Sequence, residues 1–225
     1  LWGLHVNIKM LPLTSLLEKI FFRSICLLIL ANIFFAFFGW PYWPFSRFLG
    51  LGGESNFTTW VSSSMMLTAG VFAFLIGFRA REEDKKEAFF LIGAILFFMS
   101  CDETAMIHEY LGPIINQTFF HWPFPKTQWV VILAPPAIAV FTALSLKCKP
   151  YFRSAVLSKR YLLAGLVIFC MGAFVVELSL GFFDPTRNMA ASAIEICFEE
   201  SLELIGAFLF LKGMMLFWNN ESQTT

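Results

Sequence analysis

Asp102, Glu103, His108 and Glu109 in FFMSCDETAMIHEYLG, Glu177 in FVVELSLG, and Glu195, Glu199, Glu200 and Glu203 in IEICFEESLELIG put eight carboxylates and one imidazole inside otherwise apolar stretches. These eight are half of the chain's 16 acidic residues, and no Lys or Arg shares their half of those stretches. An ionised carboxylate in hydrocarbon costs several kcal/mol even after water defects and snorkelling, so such a group implies bound protons, bound cations or a wet cavity.

Spacing sorts the acids. On a helix at about 100° per residue, Asp102 and Glu109 lie about 20° apart around the axis and roughly 10 Å apart along it. Glu103 stands about 100° from Asp102 and His108 about 240°, so a straight helix cannot aim all four at one point; a distortion near Gly112 and Pro113 is the way out. Glu195, Glu199 and Glu203 fall within about 80° and form a stripe along one helix face, with Glu200 to the side. Like charges at this spacing repel unless a proton or metal lies between them.

The chemistry expected is that of an oxygen-rich cation site. Asp102, Glu109, Glu195, Glu199 and Glu203 are the candidate ligands; Glu103, His108, Glu177 and Glu200 are a second shell or proton relay. Such a set suits Mn²⁺, Fe²⁺, Mg²⁺ or Ca²⁺ rather than a thiolate zinc or Cu(I) site. The Glu-x-x-His of di-metal helical bundles is absent from the sequence. Cys26, Cys101, Cys170 and Cys197 lie in apolar stretches without CxxC spacing and read as small buried hydrophobes, Cys101 and Cys197 adjoining the acids.

The elements that must hold these groups are membrane helices. The chain of 225 residues is 58% hydrophobic, with mean hydropathy +0.70 and 29 Phe. Its apolar residues come in blocks, as a membrane protein's do. Spanning about 30 Å of hydrocarbon takes roughly 20 helical residues. Six blocks meet that length, near residues 20–39, 57–79, 88–112, 128–147, 161–182 and 191–217. The expected fold is all-α, a six-helix polytopic bundle over residues 20–217, with an interfacial segment at 1–19 and a short tail at 218–225. The first block is too long, and lacks a small-residue cleavage site, for a secretory signal.

Lys and Arg concentrate in the N-terminal segment, in RAREEDKKE and in KCKPYFRSAVLSKR, while the opposite connections hold only Arg47, Lys126 and Arg187. By the positive-inside rule both termini are cytoplasmic, in a plasma (inner) membrane. The acids then belong to the outer half: Asp102 level with Glu203, Glu109 with Glu195, and Glu177 at the upper level. Trp40, Tyr42, Trp43, Phe45, Trp122 and Trp129 read as an outer interfacial belt. Pro135 and Pro136 must remove backbone donors and kink or break the fourth helix. Ser62, Ser63, Ser64, Thr68 and Gly70 give the second a small-residue packing face.

NFTTWVSSSMMLTAGVFAFLIG, MSCDETAMIHE and EESLELIGAFLF together resemble a group of bacterial multipass membrane proteins with D-E-x4-H-E and E-E-x2-E motifs. The resemblance implies a six-helix bundle and no particular activity. The three-histidine zinc site of the alkaline ceramidase superfamily and the Glu-Glu-x-x-x-Arg of CAAX-type proteases are both missing.

The functional expectation is a cation transporter or channel that exchanges protons for a divalent cation. Two alternatives stand beside it: an intramembrane metal-dependent oxidase or hydrolase acting on a lipid-like substrate, and an accessory subunit whose acids meet a basic partner or a second copy. No basic patch suggests nucleic acid.

Overall fold

The computed structural model describes residues 11–38, 48–50, 56–121, 127–180 and 189–224, and among these every regular element is helical. In lipid no water satisfies backbone N–H and C=O groups, so an apolar chain closes its hydrogen bonds within each helix. The helices are α1 (Leu11–Phe38), α2 (Phe57–Arg79), α3 (Glu83–Ala105), α4 (Ile107–Ile115, extended by π-helical Asn116–Phe120) and α5 (Gln128–Cys148). They are followed by α6 and α7 (Met189–Thr224). Helix α6 comprises Val156–Cys170, π-helical Met171–Val176 and a last turn Glu177–Leu180.

Five helical stretches among the described residues are long and apolar enough to cross a membrane: Phe57–Arg79, Glu83–Ala105, Gln128–Cys148, Val156–Ser179 and Ile196–Ser222. Their outer surface matches that reading. Phe78 is 74% exposed and Phe119 72%, with Leu30, Val167 and Phe198 likewise turned outward. An exterior this apolar needs lipid against it.

Lipid tails are as apolar as leucine, so the helices gain from close packing rather than from apolar burial as such. Small and hydroxylated residues therefore sit at the contacts. A Cβ on Gly70 of α2 would lie 3.2 Å from the Gly93 carbonyl of α3. Along the same seam the Ser63 and Ser100 hydroxyls lie 2.8 Å apart, each 2.9 Å from the other's carbonyl oxygen, so their two protons are shared among these contacts, and the Thr104 hydroxyl lies 3.0 Å from that of Ser63. The expected packing role of the α2 serines is thus realised at Ser63. Gly165 and Gly172 of α6 meet α7 in the same manner, and Gly206 and Gly213 of α7 meet α6.

Helices α2 and α7 form the centre, with Met65, Met66, Ala69, Leu211 and Met214 fully buried. Helix α1 lies against α7 through Phe22 and Phe208, a Lys212–Glu18 ion pair of 2.7 Å and an Asn219–Thr14 hydrogen bond. The Lys- and Arg-rich end is locked by Phe89, Phe152 and Phe217, and by Trp218, over which Arg79 sits at 4.0 Å.

Three expectations differ from the structure. The third apolar block is not one helix to residue 112, because the chain breaks at Met106. Helix α5 runs unbroken through Pro135 and Pro136, whose rings are on its exposed side instead of beside a cavity. Residues 218–224, expected beyond the last span as a short tail, continue α7 through Thr224, with Trp218 buried and Glu221 paired with Lys85 at 2.6 Å.

Candidate functional site

The site begins with a backbone irregularity. Met106 takes φ 54° and ψ 38°, the left-handed region that a side chain adopts at a cost of about 1–2 kcal/mol. Its N–H still closes α3 on the Asp102 carbonyl at 2.7 Å, and the chain then restarts as α4 in a new direction. That turn overrides the wheel geometry of a straight helix. Asp102 Oδ1 accepts the His108 backbone N–H at 2.8 Å, while Oδ2 lies 2.9 Å from His108 Nδ1.

Asp102 therefore does two jobs. It satisfies an early N–H of α4, where Met106 as cap residue offers no side chain, and its charge sits at the positive end of the helix dipole. It also orients the imidazole. With Nδ1 turned to Asp102, Nε2 is the ring nitrogen that faces away from the carboxyl and is available for proton exchange. Both side chains are 24% exposed, sheltered yet reachable.

The His108 ring packs on Trp129 of α5, centroids 4.4 Å apart, and Trp129 continues to Phe174 of α6 at 6.1 Å. Gly112 permits this, because a Cβ there would come within 2.5 Å of the Trp129 Cβ. Trp129, expected in the outer belt, stands against the candidate relay histidine. Trp40, Tyr42, Trp43, Phe45 and Trp122 lie outside the described residues.

A second group forms where α6 meets α7. The carboxyl groups of Glu177 and Glu199 lie close enough to interact, with Glu203 and Glu109 within electrostatic reach. Two carboxyls brought this close can share one proton. Local backbone helps: Glu177 follows directly on the π-helical turn Met171–Val176, a distortion often found at functional sites. Gly172 in that turn lets α6 press onto α7, since a Cβ there would be 2.9 Å from both the Glu199 carbonyl oxygen and Glu203 Cγ.

Glu109 links the two groups, being within electrostatic range of both His108 and Glu199 while itself exposed at the rim. Glu103 is near enough to act on His108. Glu200 is half-buried and has interactions of its own. The Glu195 side chain lies outside the described ones. His108 and Glu177, expected in a second shell or relay, lie beside the candidate ligands Asp102 and Glu199.

Among the described residues no three His, Cys, Asp or Glu side chains stand close enough together to hold a metal ion. Cys101 is exposed and Cys197 half-buried. The ion pairs seen for Lys and Arg belong to the other end of the bundle, at Lys85, Lys86, Lys147 and Lys212. Three positions had no recognisable sequence signal. Met106 is not a residue type that favours φ > 0, Trp129 looks like any interfacial tryptophan, and Gly172 looks like any small residue of a membrane helix.

The chain belongs to the family described as a domain of unknown function (DUF8692), which it matches over residues 20–218. No curated protein and no solved structure matches it.

Proposed function

We propose that this DUF8692 member is a six-span membrane protein with both termini cytoplasmic, and that it exchanges protons for a small cation, as a transporter does. The observation that carries this reading is the Glu177–Glu199 carboxyl pair. While the pair shares a proton it is closed and carries one charge. Loss of that proton leaves two like charges in contact, a state that needs a cation between them. Proton release and cation entry are then alternatives at one place, which is the logic of antiport. Glu203 and Glu109, within electrostatic reach of Glu199, add to the negative charge that draws a cation to the pair.

Asp102 and His108 supply a relay beside this pair. With Nδ1 held by Asp102, proton exchange falls to Nε2, and Glu109 couples the relay electrostatically to Glu199. The orientation rests on the Lys and Arg distribution in the connections, and the sixth span is α1, whose 28 residues exceed the roughly 20 needed.

Purified protein in liposomes loaded with a pH-sensitive dye tests the proposal. An imposed Mn²⁺ or Ca²⁺ gradient should alkalinise the lumen, and Glu199→Gln should slow this at least about tenfold by removing the exchangeable proton. Exchange by E199Q at the wild-type rate would sink the reading. The oriented Asp102–His108 pair also favours a second reading, an intramembrane enzyme with His108 as general base. Under it, His108→Asn should abolish turnover while E199Q leaves turnover intact.

A further inference from the structure

At the opposite end of the bundle from the acids, α3, α5 and the first half of α6 border an open cleft of about 120 Å³ floored by Phe210 of α7. Ile92 and Met99 of α3, Phe141 and Leu144 of α5, and Leu163 and Leu166 of α6 form its walls. The walls offer almost nothing polar. The exception is one end, where Lys149 and Lys159 border the cleft.

These two lysines differ from their neighbours. Lys147 pairs with Glu87 at 2.8 Å, Lys85 with Glu221 and Lys212 with Glu18. Among the described residues neither Lys149 nor Lys159 has an acidic partner. Lys149 follows the end of α5 and Lys159 lies in the first turns of α6, so both belong to the level at which helices leave the hydrocarbon. Helix α6 also starts at Val156 without a capping side chain, leaving early N–H groups and the positive end of its dipole at the same level.

We propose that this cleft binds an anionic phospholipid drawn from the surrounding bilayer. One acyl chain lies along Ile92, Phe141, Leu163 and Leu166, and the phosphate rests between Lys149 and Lys159. The apolar walls select a chain and the unneutralised lysines select a negative headgroup. A neutral phospholipid meets only half of these demands. A soluble phosphate meets only the other half. The proposal does not depend on the acid site, which involves other residues and the other end of the helices.

The test is native mass spectrometry of the full chain released from detergent after equilibration with equimolar phosphatidylglycerol and phosphatidylcholine. The wild type should retain one phosphatidylglycerol in preference to phosphatidylcholine. A basic residue near a membrane surface strengthens attraction to anionic lipid about fivefold, so K149Q with K159Q should cut the preference roughly thirtyfold. Leu163→Trp, at a position 43% exposed and therefore tolerant, fills the cleft and should abolish retention with both lysines intact. Equal retention of the two lipids by the wild type overturns the proposal, as does an unchanged preference in the double lysine variant. Undiminished binding in L163W would show attraction to the surface charge alone. Displacement of the lipid by millimolar inorganic phosphate would show a headgroup site without a chain, and likewise refute it.

Discussion

The Asp102–His108 pair should appear as a coupling energy of definite size. Hydrogen bonds between membrane helices average about 0.6 kcal/mol, with the best near 1.7, and those to charged groups reach about 1.5–3. At 2.9 Å, local in sequence and charge-assisted, this one belongs near 1.5 kcal/mol. Asp102 also satisfies the His108 N–H at 2.8 Å, a capping contact worth about 1 kcal/mol. Asp102→Ala should therefore lose about 2.5 kcal/mol and His108→Ala about 1.5 plus its ring contact with Trp129. The double variant should show about 1.5 kcal/mol of coupling, since H108A keeps the backbone N–H that Asp102 caps. Asp102→Asn retains an acceptor for that N–H and should recover about 1 kcal/mol relative to alanine. Reversible unfolding in mixed micelles of a mild detergent and dodecyl sulfate, followed by tryptophan fluorescence, measures all four. Coupling below about 0.5 kcal/mol, the ordinary limit of additivity, would refute the pair and the break at Met106 that creates it.

Two further outcomes follow from backbone geometry. Met106→Gly should unfold within about 0.5 kcal/mol of the wild type, whereas β-branched Met106→Val should lose about 2 kcal/mol or more; equal stability of the two in the same micelle titration would show that residue 106 is not left-handed. At Gly172 a new Cβ meets the Glu199 carbonyl and Glu203 Cγ at 2.9 Å, so Gly172→Leu should cost about 1–3 kcal/mol by overpacking and abolish cation-driven proton movement in liposomes. Loss of stability with transport unchanged would separate the α6–α7 contact from the site.

Composition and block length alone establish an all-helical membrane chain, because hydrocarbon leaves a spanning segment few alternatives to a helix of about 20 apolar residues. The acids could likewise be read from the sequence as a site, since no packing advantage offsets eight carboxylates in such blocks. Their partners could not. Asp102 and His108 are some 240° apart on the helix the sequence implies, and only the left-handed Met106, held by the packing around it, brings them together. Glu177 and Glu199 are 22 positions apart in sequence and separated by a turn, so no spacing rule connects them. Their contact comes from the π-helical turn before Glu177 and from the absence of a side chain at Gly172, two features whose effect exists only once α6 is pressed against α7. Residue type sets the cost of leaving a charge in the membrane. Which acid meets which partner is decided by backbone distortions and close helix contacts, and those belong to the packed bundle.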